Sequence, residues 1–372
     1  MASTVSDVSE PASSTASVTD PLAGLLSLDA LEALAQDRLS PAAFAYVAGG
    51  SWDEWTLREN VAAFRRRRLW PRVLVDVSNV ETRVELLGRE SALPIGLDPA
   101  AEQGLCHPDG ELASARAAAA AGVPIVLSTF STASLEEVAE AAPDADRWFQ
   151  LYVHRDPGIT RDLIARAAAA GFRALVVTVD LPVIGHRQRE LAQGSTPAPR
   201  LGTVEAYVRP GGSLQDVLAE HINPSVDWAA LERMAAESPL PVVVKGILRP
   251  DDAERAVERG AAAVVVSNHG GRQLDRAPAS IDALEAIVQE IAGAAEVYLD
   301  GGVRRGLDVV TAMALGARAI FLGRPYLYAL ALDGERGVAR VLELLARELR
   351  AAMALVGAPQ IETIDRGLLD PT

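Results

Sequence analysis

The sequence predicts a closed (β/α)8 barrel. Four segments, Arg116 to Ser128, Arg166 to Thr178, Arg255 to Ser267 and Thr311 to Gly323, repeat one design. Each has a helix end of small residues, a glycine cap (Gly122, Gly171, Gly260, Gly316), a short link and a four-residue apolar strand. Similar strands read at 94–97, 148–153, 241–246 and 296–300, giving eight strands that alternate with helical patterns. An open doubly wound sheet is the alternative. It fits less well, because no nucleotide-type glycine loop follows the first strand.

Residues 1–25 are rich in Ser, Thr, Ala, Val and Pro and read as a disordered tail without the basic start or apolar core of a secretory signal. Residues 26–372 then read as a single barrel domain. Its 26–90 segment precedes the first strand and carries two helical stretches, and the arginines 65–68 read as a solvated helix face. Residues 183–228 form a long Gly- and Pro-rich insertion after strand four, expected to drape over the barrel mouth as a mobile loop.

Composition narrows the function. The chain has 372 residues, 49% hydrophobic and 23% charged, with a net charge of −15 that disfavours a nucleic-acid partner. No apolar run is long enough to span a membrane. The one cysteine, Cys106, excludes an internal disulfide, fits a reducing cytoplasm and reads as a small buried filler. No metal-ligand spacing, Walker loop or Gly-x-Ser-x-Gly elbow is present.

In such barrels chemistry sits at the C-terminal strand ends. The richest is strand six, where Val264-Val265-Val266 breaks into Ser267-Asn268-His269-Gly270-Gly271-Arg272-Gln273-Leu274-Asp275. A histidine there can take a proton near neutral pH, and an arginine can grip a carboxylate through two hydrogen bonds. The other ends supply Ala101, Ser128, Gln150 with Tyr152, Thr178 with Asp180 and Arg187 beyond, and Lys245 as the end of strand five. Strands seven and eight end in Asp300-Gly301-Gly302-Val303-Arg304 and Gly323-Arg324, two arginine-backed loops suited to a phosphate.

These segments resemble the FMN-dependent α-hydroxy acid oxidase/dehydrogenase family, from about Leu39 to about Gln360. The run 267–275 carries the likeness most specifically. Phe149–Tyr152, Thr178–Asp180, Val244–Gly246, Asp300–Arg304, Leu322–Pro325, Tyr46–Gly50, Thr56–Asn60 and Pro71–Leu74 match as well. The resemblance implies that His269 is the base and Asp180 stabilises the resulting imidazolium. Arg187 and Arg272 would bind the substrate carboxylate, with Tyr46 and Tyr152 bonding its carboxylate or hydroxyl. Lys245 would sit at the flavin N1/O2 edge and offset the charge of the reduced ring. Pro99, Ala100 and Ala101 would lie along the flavin, and Ser128, Gln150, Thr178 and Ser267 would bond its ring or ribityl chain. Asp300, Gly301, Gly302, Val303, Arg304, Gly323 and Arg324 would complete the FMN site and hold its phosphate. His107, His154, His186 and His221 match no catalytic position and read as surface or satisfied histidines.

One departure stands out. The family's first strand ends in a segment like Ala-Pro-Thr-Ala, whereas here it is Asp98-Pro99-Ala100-Ala101. Asp98 is expected to point into the helical layer against a basic partner; if it faced the flavin instead, it would lower the redox potential or weaken FMN binding. Phe130 stands where glycolate oxidases carry tryptophan. The resemblance implies oxidation of a small (S)-2-hydroxy acid to the 2-oxo acid, with O2 giving H2O2, by a homo-oligomer, a tetramer in the family. The alternatives are a dehydrogenase serving a quinone or protein acceptor, and lactate 2-monooxygenase-like oxidative decarboxylation, whose members tend to carry Gly where this chain has Ala101. An inactive flavin-binding barrel is the non-enzymatic alternative.

Overall fold

The computed structural model describes residues 22, 24–194, 200–209, 211 and 213–371. Eight parallel strands close a barrel: β1 Ile95–Leu97, β2 Pro124–Leu127, β3 Asp146–Leu151, β4 Ala174–Thr178, β5 Val242–Ile247, β6 Ala263–Val266, β7 Glu296–Asp300 and β8 Ala319–Leu322. They pair in sequence order, and β8 closes on β1 with Phe321 opposite Gly96. The strands are almost wholly buried, as expected when helices cover one face and the barrel core the other. Trp148, Tyr298 and Phe321 fill the interior with ring centroids 5.4–5.6 Å apart. Gly96 makes room for them: a Cβ there would lie 2.4 Å from the Phe321 ring.

The predicted strands are all present, with two shifts that matter. β3 starts at Asp146 and stops at Leu151, so Tyr152 lies just beyond the strand rather than within it. β5 does not end at Lys245 but runs to Ile247, with a register shift between those residues. Gly246 carries the irregularity at φ +109°, and a Cβ there would meet the Asp180 side chain at 2.7 Å.

Before the barrel come three helices rather than two, α1 Leu31–Arg38, α2 Pro41–Ala48 and α3 Trp55–Arg65. Ser40 caps α2 by accepting from Ala43 N, and Pro41 opens it. An antiparallel ribbon, Val84–Leu86 with Arg89–Ser91, was not expected. Its carbonyls accept from Arg173 and Arg318, and Leu87 N donates to Glu296, all three at strand starts, so the ribbon covers the N-terminal mouth. Arg66 and Arg67 are not a free solvated face. They bind Asp282, and Arg67 also the Ile281 carbonyl, fastening α3 to the helix Ser280–Ile291.

The tail expected over 1–25 falls mostly outside the described residues, but Leu22 and Leu25 are buried in the core, so ordered packing begins earlier than position 26. The insertion after β4 is also more structured than expected. It contains Gln188–Gln193 and Leu214–His221, both helical, and Leu214 and Leu218 face the barrel mouth. No helix among the described residues is long and apolar enough to cross a membrane.

Candidate active site

A cleft at the C-terminal mouth encloses about 1070 Å³ of space, including its open entrance. Tyr46, Pro99, Ala100, Ala101, Ser128, Gln150, Tyr152, Thr178, Arg187, Lys245, His269, Arg272, Asp300, Gly301, Gly302, Val303, Arg304, Gly323 and Arg324 all line it. Residues up to 278 positions apart (Tyr46 to Arg324) are thereby brought to one wall, because each ends a strand or caps the mouth.

His269 sits at φ +59° in the turn after β6, held by its N–H donating to Ser267 Oγ at 3.0 Å. Its Nδ1 lies 2.9 Å from Asp180 Oδ1, just beyond β4. With Nδ1 donating to that carboxylate, Nε2 is the free lone pair. Burial lowers the imidazole below its usual range, outweighing the Asp180 charge, which favours the neutral ring. Burial works against the Asp180 carboxylate as well, but His269 and Lys245 bring it below the usual range. Asp180 is placed in turn by Gln273, whose amide bonds the Asp180 and Val183 carbonyls and accepts from Gly185 N.

Two guanidinium groups face the same cleft. Arg272 lies 4.9 Å over the Tyr46 ring and donates to the carbonyls of Tyr46 and Gly49, which ties α2 to the turn after β6. Arg187 is 5% exposed and approaches Glu190 at 3.7 Å. Burial and the neighbouring Arg272 bring Arg187 down to about 10, still charged at neutral pH. Burial raises the Tyr46 and Tyr152 phenols, which stay protonated as donors.

On the opposite wall Lys245 Nζ stands 2.6 Å from Asp300 Oδ2 and 3.1 Å from Ser267 Oγ. Burial would depress this ammonium, but Asp300, Asp98 and Asp180 together hold it above its usual range. Asp98 does not enter the helical layer. It lines the cleft with Oδ2 3.6 Å from Lys245 Nζ, so its basic partner exists but lies inside the barrel mouth. Burial, reinforced by Asp300 and opposed by Lys245, raises its carboxyl well above the usual range.

The cradle at β7 and β8 fits a flavin phosphate. Gly301 and Gly302 stand at φ +87° and +86°, and a Cβ on Gly302 would meet the Asn60 carbonyl oxygen at 2.0 Å. At Gly323 nothing lies within 4 Å of where a Cβ would be, which leaves backbone open at the start of the helix Arg324–Val356. Asp300 Oδ1 is buried without a hydrogen-bond partner. Ser128 Oγ and Thr129 N donate to Gln150 Oε1 while Gln150 Nε2 donates to Thr178 Oγ1, which orders one polar wall for an isoalloxazine edge.

Two expected cofactor contacts are placed differently. Ser267 is fully buried behind the wall, where its Oγ serves Lys245 and the His269 N–H rather than the cleft. The Arg324 guanidinium is occupied by three carbonyls, those of Val47, Gly49 and Gly270, so its side chain braces the site and its helix terminus is the part available to an anion. Arg304 has no such commitment across the cleft: among the described residues its side chain hydrogen-bonds the carbonyl of Val303 alone.

His154 is neither at the surface nor satisfied. It is 1% exposed, packs on Phe130 and His221, and neither ring nitrogen has a partner; burial and His221 bring it down to about 4. Cys106 is half-buried, and burial beside Glu111 raises its thiol to about 12, unsuited to nucleophilic work. Asn60 holds a position that its local sequence does not disclose. Its amide and that of Asn268 exchange two hydrogen bonds, of 2.8 and 2.7 Å, and Asn268 Oδ1 accepts from Gly271 N. Asn60 thus locks the His269 turn against the Gly302 loop. The signal was its place in the matching segment Thr56–Asn60, which named no partner.

A parallel barrel whose mouth pairs a histidine–aspartate couple with two arginines, a buried lysine and a glycine phosphate cradle defines a flavin-dependent oxidoreductase of hydroxy acids. Residues 35–371 match the FMN-dependent dehydrogenase family, and the chain belongs to it. It is 50% identical to an L-lactate oxidase of Nostoc sp. over 91% of this chain and 96% of the relative. It is 41% identical to human 2-hydroxyacid oxidase 1, over 93% and 96%. A crystal structure of mandelate oxidase superposes with a TM-score of 0.87 at 44% identity, covering 93% of this chain and 98% of that one. FMN is the cofactor.

Proposed function

We propose that the chain oxidises a small (S)-2-hydroxy acid to its 2-oxo acid and delivers the electrons to O2, releasing H2O2. The observation that carries this is the 2.9 Å His269–Asp180 contact in the cleft that Arg187 and Arg272 also face. FMN supplies the two-electron acceptor that no side chain offers. Arg187 and Arg272 bind the substrate carboxylate, and the Tyr46 and Tyr152 phenols donate to its oxygens. His269 Nε2 takes a proton from the substrate, and Asp180 stabilises the imidazolium that forms. Lys245 would stand beside a bound flavin, where its positive charge would offset negative charge on the ring.

Among substrates, an acid with a hydrocarbon side chain is favoured over glycolate. Phe130, stacked at 5.7 Å on Tyr152, joins Leu181, Leu214 and Leu218 in an apolar wall of the same cleft. Rates of anaerobic flavin reduction by glycolate, lactate, longer 2-hydroxy acids and mandelate test this; glycolate reacting fastest would refute it. The reaction with oxygen turns on Ala101, whose carbonyl lies 3.4 Å from the Tyr46 hydroxyl. Its methyl limits the room in which O2 and the new oxo acid can coexist, so the product should leave intact. Under air, wild type should yield 2-oxo acid and peroxide, and Ala101→Gly should shift towards CO2 and the shortened acid. Mainly decarboxylated product from wild type would assign a monooxygenase, and slow reoxidation in air a dehydrogenase.

Self-association is proposed from the exposed apolar stretch Trp70, Val73, Leu74, which are 56, 80 and 102% exposed. A cytoplasmic setting is proposed on composition, and cell fractionation tests it.

A further inference from the structure

We infer that Asp98 is a residue by which this chain sets the electron affinity of its flavin, acting through Lys245. The inference rests on Lys245 standing at the N1/O2 edge of the bound ring. Lys245 Nζ lies between Asp300 Oδ2 at 2.6 Å and Asp98 Oδ2 at 3.6 Å. Two carboxyl groups therefore share one ammonium before any negative charge reaches the flavin. A reduced ring would add a further claim on that ammonium, and the negative charge that Lys245 preserves on Asp98, against the burial that raises its carboxyl, would oppose the reduced form alone.

The side chain is not needed to build the strand end. The Asp98 backbone N–H donates to the Leu322 carbonyl at 2.7 Å, and its carbonyl accepts from Tyr326 Oη at 2.9 Å. Both bonds survive replacement of the carboxylate. The charged groups that act on it most are Lys245, Asp300 and Asp180, and Lys245 is its one ion-pair partner within 4 Å among the described residues.

The test is made on the FMN-bound enzyme with Asp98→Asn, which keeps the shape, and Asp98→Ala, which leaves a small uncharged residue. Sulfite adds to flavin N5 and leaves negative charge at N1/O2, so its dissociation constant reads the same electrostatics without turnover. Both variants are expected to bind sulfite at least tenfold more tightly than wild type and to raise the flavin midpoint potential. A tenfold shift towards the reduced form corresponds to about 30 mV for a two-electron couple. Equal or weaker sulfite binding, with an unchanged potential, overturns the role of Asp98 and leaves Lys245 in place. Failure of wild type and both variants alike to form the adduct overturns the placement of Lys245 at the ring, and the inference with it.

Discussion

His269 is held in one state by three neighbours. Ser267 fixes its backbone, Asp180 occupies Nδ1, and burial favours the neutral ring. Its folded pKa lies below the unfolded value, so the base form predominates above that lowered pKa and is lost as pH falls through it. Flavin reduction should accordingly rise with pH through a midpoint below that of free imidazole and then level off; a midpoint above pH 7 in rapid-mixing traces would contradict this. His269→Ala should keep FMN and lose about 10²–10⁴-fold in the rate of flavin reduction. A near-wild-type rate would remove His269 from the chemistry. Arg272 carries two duties, since the same guanidinium that faces the cleft bonds the carbonyls of Tyr46 and Gly49. Lysine lacks the planar fork for both. Arg272→Lys is therefore expected to raise KM and slow reduction together; a change in KM alone would confine Arg272 to binding.

At the scale of elements, the loop after β7 and the helix start after β8 form one phosphate cradle by two different means. The β7 loop is shaped by contact with α3, where Gly302 leaves no room for a Cβ beside the Asn60 carbonyl. The β8 end is open and shaped for a ligand. Gly302→Ala adds left-handed strain of order 1–3 kcal/mol to a direct clash. It should lower the melting temperature of the apoprotein as well as FMN content. Gly323→Ala should lose FMN with a smaller loss of apoprotein melting temperature. Thermal scans with and without added FMN separate the two, and equal losses would mean the cradle has been misassigned.

For the whole molecule, the covered and open ends of the barrel divide stability from function. The ribbon at 84–91 bonds strand starts, while the cleft, the insertion helices and α2 gather at the other end. The apolar stretch 70–75 is tied to the C-terminal segment through Trp70 N to Leu368 and Arg72 N to Val356, and its large side chains are left in solvent in the isolated chain. Leu74, fully exposed at φ +59°, is its most prominent side chain. Leu74→Asp should yield a smaller species than wild type by light scattering, with flavin content retained. A wild-type monomer would refute self-association through this surface.

The eight strands and their order were readable from local sequence, because each glycine-capped helix end and apolar run is a signal within a dozen residues. So were His269, Arg272, Asp180 and Lys245, which sit at or beside strand ends that a barrel must bring together. Side-chain direction was not readable. Asp98 and its neighbours look the same in sequence whether the carboxylate enters the helical layer or the mouth, and only closure of β1 against β8 turned it towards Lys245. Arg324 and Ser267 have the right chemistry for a cofactor, but carbonyls from α2 and the neighbouring Lys245 claimed them first. Asn60 and Asn268 are 208 positions apart, and their paired amides exist only once α3 has docked on the barrel. Local pattern decides which atoms reach the mouth of a barrel; which of them remain free for a ligand depends on partners that only the closed structure supplies.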